Sequence, residues 1–418
     1  MKRAFYTLLA LLPVLLLSCG KEAGAAQGSL DDIVFNGPET IHLRAGEAVD
    51  LSLEIPSGLD VTCSWVYDKK VLSTDTWLRL QLDVPQEGTL TVVIRDARKQ
   101  SRTIERSVIV TRTTDTKVIG YLPQYKSLPD IPWNKLTHLH LCFAKVGRDG
   151  SLDDAGIRSR FAGLSDKARP YGVRLVLSLG GGGGTDEQEA ITAAMLDETA
   201  RARMVDAAVR TVRDLSLDGV DLDYEGWEWG AATANAARRD AVRDVLKRLR
   251  AALGEDAVVS AALAINPLEN GWFTSEMAAL TDYVGLMAYD KTGTWSVEAG
   301  PHAPYDYFTS ASETALRMGF PKEKVVPGIP FYGRIFPGGK PSASSILSYV
   351  DILKTYPGAE SKDAVESEHL WYDGLPMVTR KAQYVKDQKL GGVMVWEITQ
   401  DSADPAKSLL TAINQTLN

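Results

Sequence analysis

From residue 29 to about residue 112 the chain alternates apolar and polar positions with a period of two. Val49, Leu51, Leu53 and Ile55 alternate with Asp50, Ser52 and Glu54; Val61, Cys63, Trp65 and Tyr67 share one face, as do Leu78, Leu80, Leu82 and Val84. Turn formers separate the runs at Asn36-Gly37-Pro38, Pro56-Ser57-Gly58 and Pro85-Gln86-Glu87-Gly88, and no helical period appears. Successive strand side chains face opposite sides of a sheet, so short alternating runs at this spacing predict a small β-sandwich.

At Thr113-Thr114-Asp115-Thr116 the pattern changes. Apolar runs that predict buried strands follow at Val118–Leu122, Leu136–Ala144, Val173–Leu179, Gly219–Glu225, Val258–Ala264, Tyr283–Tyr289, Val325–Phe331 and Gly392–Trp396. Amphipathic segments lie between them: Met204, Val205, Ala208, Val209, Val212 and Leu215 keep helical spacing, as do Val242, Val245, Leu246, Leu249 and Leu253. Eight apolar strands separated by helices over some 300 residues (113–418) predict a (β/α)8 TIM barrel of the α/β class. Active sites in that architecture sit at the C-terminal ends of the strands.

The N-terminus reads as processing signal. Lys2 and Arg3 precede an apolar run from Ala4 to Leu17, too short to span a bilayer but suited to a secretory h-region. The run ends Leu16-Leu17-Ser18-Cys19-Gly20, which resembles a bacterial lipobox; cleavage there would leave Cys19 as a lipidated N-terminus. Residues 1–19 are then a lipoprotein signal peptide, and 20–28 a flexible tether ahead of the 29–112 sandwich. The expected location is the cell envelope of a bacterium, at the outer membrane or cell surface, with the lipid as the only membrane contact. Cys63 and Cys142 fall in different predicted domains, so both are expected in cores rather than in a disulfide. Net charge is −8 with no Lys/Arg cluster, which argues against a nucleic-acid partner. Five histidines and three cysteines, without CxxC, HxxxH or HExxH spacing, leave zinc or thiol chemistry little to build on.

One stretch concentrates the chemistry. In Leu217-Asp218-Gly219-Val220-Asp221-Leu222-Asp223-Tyr224-Glu225 the acids alternate with apolar residues. At roughly 3.3 Å per residue, Asp221, Asp223 and Glu225 point the same way about 6.6 Å apart. Burying such a row is costly unless something neutralises or uses it. Mutual repulsion and burial also keep one carboxylic acid protonated near neutral pH. A cation site and an acidic surface strand are the alternatives, although calcium wants six or more oxygens from a flexible loop.

The other strand ends supply partners. Ser178-Leu179-Gly180-Gly181 opens a run of five glycines that lacks both GxGxxG and GK[ST] spacing, so its use is steric: it lets the acidic strand pack closely, with Ser178 donating to Asp221. Met287-Ala288-Tyr289-Asp290 sets a phenol and another carboxylate at the rim, and Val395-Trp396-Glu397 closes the series. Trp227, Trp229, Trp272, Trp295 and Trp396 all fall at or just beyond strand ends, which fits a groove that stacks on the flat apolar faces of sugars.

At this point a family resemblance is specific. Asp218–Glu225 resembles the DGxDxDxE signature of glycoside hydrolase family 18, the chitinases and endo-β-N-acetylglucosaminidases. Four further elements resemble that family in order: SxGG at 178–181, MxYD at 287–290, PFYGR at 330–334 and the last-strand tryptophan in 391–397. The segment Gly300-Pro301-His302-Ala303-Pro304-Tyr305 also resembles the loop after strand six of chitinases. The resemblance spans residue 117 to about 412. The sandwich lies outside it; Trp65 there resembles the core tryptophan of immunoglobulin-like domains, without the disulfide partner.

The resemblance implies a retaining, substrate-assisted hydrolysis of β-1,4 bonds after N-acetylglucosamine, without metal or cofactor. Glu225 would be the general acid and then the base. Asp223 would bind the acetamido N–H, Asp221 would share its proton, and Tyr289 would donate to the acetamido oxygen. Trp396 would floor the reacting sugar, with Asp290 and Arg334 beside it. Met287, Tyr121, Phe143, Ser178, Trp227 and Trp295 complete the implied substrate contacts. The expected partner is an N-acetylglucosamine-containing polysaccharide or glycan. Two departures bear on the substrate. Gly182 stands where many chitinases place an aromatic after SxGG, and only 57 residues (334–390) separate strands seven and eight, which predicts no α+β insertion and a shallow cleft. Chitinase action is the leading expectation, endo-β-N-acetylglucosaminidase action on N-glycans the alternative, and silent glycan binding a third.

Overall fold

The computed structural model describes residues 28–112, 115–182, 184–228 and 231–418. The signal segment with Cys19, the tether as far as Gln27, and Trp229 lie outside the described residues. The chain forms two compact units.

The N-terminal all-β region has a three-stranded sheet of Val34–Asn36, Ala48–Glu54 and Trp77–Gln81, and a five-stranded sheet in the order Thr40–Arg44, Ser101–Thr111, Gln86–Asp96, Val61–Tyr67, Lys70–Ser73. The expected alternation holds where it was read: Leu51, Leu53, Cys63, Trp65, Tyr67, Leu78 and Leu80 are buried. Phe35 and Trp65 bring the two sheets together with ring centroids 5.9 Å apart, and the Trp65 indole N–H donates to the Asp75 carbonyl at 2.8 Å. Two expectations are corrected. The strand ends at Gln81, leaving Val84 47% exposed, and Gln86–Gly88 open the next strand instead of forming a turn. Only Pro85, which cannot donate to a ladder, marks the break.

The barrel strands are β1 (Lys117–Pro123), β2 (His138–Val146), β3 (Arg174–Gly180), β4 (Gly219–Asp223), β5 (Val258–Leu263), β6 (Tyr283–Leu286), β7 (Val325–Pro330) and β8 (Gly392–Trp396). Each pairs in parallel with the next, and β8 pairs with β1 to close the ring. The helix Glu198–Asp214 buries Met204, Val205, Ala208, Val209 and Val212, and Ala232–Leu253 buries Val242, Val245, Leu246 and Leu249, as their spacing predicts. Cys142 is buried in the barrel interior and Cys63 in the sandwich, both as free thiols.

The alternation of strand and helix fails once, between β1 and β2, where only the 3-10 turn Trp133–Lys135 intervenes. The C-terminal helix Leu409–Leu417 holds that turn: Asn414 Nδ2 donates to the Lys135 carbonyl at 3.0 Å, and Lys135 Nζ donates to Thr411 Oγ1 at 2.7 Å. The expectation about the β7–β8 connection is also corrected. Residues 332–371 fold into an antiparallel sheet in the order Ser345–Ser348, Tyr332–Ile335, Leu370–Trp371, Ala364–Val365, with the helix Tyr349–Thr355. Strands of two to four residues make an α+β insertion in a length that seemed insufficient.

A buried ion pair fastens the segment after this insertion to the loop after β6. Lys381, on the helix Leu375–Gln388, donates to Asp373 Oδ2 at 2.5 Å and to the Ala303 carbonyl at 2.7 Å, with both side chains removed from solvent. Removing one partner strands the other in a low-dielectric interior. Lys381→Met is therefore expected to lower stability by about 3–5 kcal/mol, read as a lower urea midpoint; an unchanged midpoint would refute the role of the pair.

Candidate active site

The site forms where β4 runs out. Asp221 and Asp223 lie on the strand and Glu225 two residues beyond its end. Asp221 is fully buried and accepts hydrogen bonds from three strands, with an imidazole from a fourth close by. Ser178 Oγ on β3 donates at 2.5 Å, Ser260 Oγ on β5 at 2.7 Å and Tyr121 Oη on β1 at 3.1 Å, while His140 Nδ1 on β2 stands 3.3 Å away. Burial alone would raise its carboxyl, but His140 and the serine hydrogen bonds outweigh that and hold it below the ordinary range.

Asp223 has the opposite fate. Burial first, then the charges of Glu225 and Asp221, push its carboxyl well above the ordinary range. Its Oδ1 has no hydrogen-bond partner among the described residues. Glu225 is half-buried, and burial followed by the charge of Asp290 pushes it up to about 7. Three alternating acids thus reach three proton affinities through their surroundings alone. The glycines after β3 serve sterically, as expected. Gly180 and Gly181 adopt φ of +91° and +78°, where a side chain is strained, and a Cβ would stand 2.3 Å from the Asp223 carbonyl and 2.4 Å from the Phe143 ring respectively.

Past β6 the chain turns at Asp290, a non-glycine residue with φ +59°. The turn brings Asp290 Oδ1 within 2.8 Å of both Arg334 Nε and Tyr332 Oη and 3.3 Å from His302 Nδ1. Burial opposes ionisation there, but His302 and Arg334 outweigh it and bring the carboxyl down to about 2. Tyr289, one residue earlier, has its phenol pushed well above its ordinary range by burial and then by Asp223, so it remains a neutral donor. Its ring fits because Gly328 has no side chain; a Cβ there would lie 2.6 Å from it.

One cavity of about 210 Å3 collects most of the sequence-predicted residues: Tyr121, Phe143, Asp223, Glu225, Met287, Tyr289, Asp290 and Trp396 line it, joined by Gly182, Ala262, Tyr332 and Met394. Trp396 stacks on Phe143 with centroids 5.6 Å apart and planes at 20°. Asp221 and Ser178 lie beneath the cavity, and Arg334 behind Asp290. Trp295 is 61% exposed, with the Arg334 guanidinium 4.9 Å from its ring centre. Trp227 does not line the cavity; its ring lies between Tyr224 at 5.1 Å and Trp272 at 5.9 Å. Sequence reasoning passed over His140 and Ser260, and it read Tyr332 only as part of the PFYGR element and His302 only as part of a loop. A short polar side chain on an inward-facing barrel position was the available signal for His140 and Ser260.

The model of glycosyl hydrolases family 18 matches residues 117–401, from β1 to the turn after β8. The chain belongs to glycosyl hydrolase family 18. Chitinase 1 of Aphanocladium album is 28% identical over 348 residues, covering 69% of this chain and 81% of that protein. Chitinase B of Serratia marcescens is 24% identical over 407 residues, covering 73% and 80%. The crystal structure of a chitinase from Bacteroides thetaiotaomicron matches with a TM-score of 0.64 at 25% identity, over 72% of this chain and 96% of that one. Within the family, this is a glycoside hydrolase similar to chitinases.

For a family 18 hydrolase, the proton on Glu225 is present below its pKa and lost as pH rises through it. The alkaline limb of kcat/KM is expected near pH 7, where burial and Asp290 place Glu225. Asp290→Asn removes a neighbouring negative charge, so that limb should move to lower pH; a limb that stays or moves up would refute the coupling.

Proposed function

We propose that the protein hydrolyses β-1,4 linkages of N-acetylglucosamine polymers or oligomers, chitinase-fashion, with retention of configuration and with the substrate's acetamido group as nucleophile. The observation that carries this reading is the cavity in which Glu225, Asp223 and Tyr289 converge around one unpaired acceptor, Asp223 Oδ1. Glu225, which keeps its proton up to about pH 7, gives that proton to the glycosidic oxygen. The acetamido carbonyl attacks the anomeric carbon as the bond to the leaving group breaks, forming an oxazolinium ion. Asp223 Oδ1 takes the acetamido N–H, and the neutral Tyr289 phenol donates to the acetamido oxygen. Glu225 then accepts a proton from the water that opens the ring, restoring the acid.

Arg334, Tyr332 and His302 gather on one oxygen of Asp290, which suits it to act as a fixed counter-charge in the wall of the cavity. The Phe143–Trp396 stack offers the apolar floor that a pyranose face needs. The chitinase reading is favoured over N-glycan cleavage by the names of the relatives and by the α+β insertion, whose Tyr332 adds a wall to the cavity. The test offers chitopentaose and a high-mannose glycopeptide to wild type and Glu225→Gln. Wild type is expected to cut chitopentaose alone, and Glu225→Gln to bind it without turnover. Cleavage of the glycopeptide alone would overturn the substrate assignment, and turnover by Glu225→Gln the acid assignment.

Anchorage belongs to the same proposal. Leu16-Leu17-Ser18-Cys19 supports lipidation of Cys19 and placement at the cell envelope. Wild type is expected to take up labelled fatty acid and to pellet with membranes, and Cys19→Ser to do neither; labelling of Cys19→Ser would refute it.

A further inference from the structure

Below the substrate cavity, the barrel interior holds polar groups that the chemistry above does not use. His140 on β2 is completely buried. Its Nδ1 stands 3.3 Å from Asp221 Oδ2, a charge contact rather than an aligned hydrogen bond, and no other polar group among the described residues satisfies it. Its Nε2 is 2.8 Å from Tyr283 Oη on β6, across the barrel. The Tyr121 ring lies against the imidazole with centroids 4.5 Å apart and sends its own hydroxyl to the same Asp221 oxygen. Tyr283, also buried, is 5.1 Å from the His138 ring, two residues back along β2. Asp221 is thus approached by three neutral hydroxyls and one imidazole, and among the described residues no other basic side chain comes within 4 Å of it.

We propose that His140, braced by Tyr283, is a positioning residue for the acid row: it fixes Asp221 as the carboxylate, so that the row's mobile proton resides on Asp223, next to Glu225. The inference rests on the catalytic reading above and adds to it a proton-locating pair on the far side of Asp221. A fully buried carboxylate with only hydroxyl donors carries an uncompensated charge and draws a proton to itself. A proton on Asp221 is one strand repeat, roughly 6.6 Å, too deep to serve Glu225. Nδ1–H directed at Asp221 removes that competition, and Tyr283 Oη donating to Nε2 selects the tautomer that has Nδ1–H. The same bridge joins β2, β4 and β6, so the imidazole cannot turn away.

The groups that face His140 from the surrounding strands are Asp221 on β4, Tyr283 on β6, Tyr121 on β1 and His138 on its own strand; Lys117 and Arg174 act on His138 from the barrel's N-terminal end. A change at position 140 therefore acts on Asp221 first. Without the imidazole the shared proton shifts toward Asp221 and the negative charge toward Asp223, beside Glu225, so Glu225 holds its own proton more tightly.

The test is the pH dependence of kcat and kcat/KM for the full-length His140→Leu and His140→Gln proteins, on whichever substrate wild type is found to cleave. His140→Leu is expected to lose kcat by about tenfold or more, with KM changed less than twofold and the alkaline limb of kcat/KM moved to higher pH. His140→Gln, which keeps an N–H donor, is expected to recover most of kcat. Tyr283→Phe serves if His140→Leu does not fold; it should move the limb in the same direction by less. Wild-type kcat and limb in folded His140→Leu would overturn the inference. Equal loss in the Leu and Gln variants with an unmoved limb would reduce His140 to packing. Neither result touches the assignment of Glu225, which depends on Glu225→Gln alone.

Discussion

The interior of this barrel must hold Asp221 as a charged group where no water reaches it. Each oxygen of that carboxylate needs donors, and the hydroxyls and imidazole that meet it come from β1, β2, β3 and β5. No local segment could supply them. The network exists only when the ring of strands is closed in one register, and closing the ring in another register would leave the charge unpaired at a cost of several kcal/mol. Site and fold therefore specify each other. Ser178 pairs directly with Asp221 across the β3–β4 ladder, and Asp221 with Ser260 across β4–β5, so the two serines and the acid form one layer.

That layer explains the small residues around it. Acids on successive repeats, two on β4 and one just past its end, take space and need neighbours that do not clash. Gly180 on β3 sits directly opposite Asp223, and Gly219 at the base of β4 approaches the Val258 carbonyl so closely that a Cβ would be 2.0 Å away. The bulk displaced from these positions reappears at the rim as Phe143, Tyr289, Tyr332 and Trp396, where flat rings wall the cavity. Polar base, glycine collar and aromatic rim are consequences of one buried charge.

This organisation was legible in the sequence wherever periodicity or residue order carried it. The period of two between residue 29 and about residue 112, the eight apolar runs and the spacing of Asp221, Asp223 and Glu225 are local patterns, and outside residues 82–88 they formed the strands they predict. What escaped were features set by partners distant in sequence. His140 and His302 carry no local sign of which partner they meet; only the closed barrel shows that one faces Asp221 and the other Asp290. The α+β insertion escaped because its strands are two to four residues long, below what alternation can reveal. Trp227 was expected at the cleft from its place after β4, but the rings of Tyr224 and Trp272 offered it a better surface. The missing helix between β1 and β2 has the same origin, since the chain's last helix holds that turn from nearly three hundred residues away.

Asp290 and Glu225 line the same cavity and receive opposite treatment, which follows from where each finds its counter-charge. Asp290 is held by Arg334, Tyr332 and His302, all acting on one oxygen, and is fixed as an anion at every pH the protein is expected to meet. Glu225 has no cation among its perturbing neighbours and feels the charge of Asp290 instead. The insertion that supplies Arg334 therefore acts on the acid indirectly: by keeping Asp290 ionised it keeps Glu225 protonated. An aspartate left unpaired at position 290 would compete for that proton, because two buried carboxyls in one cavity do not both ionise readily. The left-handed turn that carries Asp290 toward Arg334 costs of order 1 kcal/mol, small beside what the proton on Glu225 is worth in the proposed reaction. Strain in the backbone at one rim residue is thus exchanged for a defined protonation state at another.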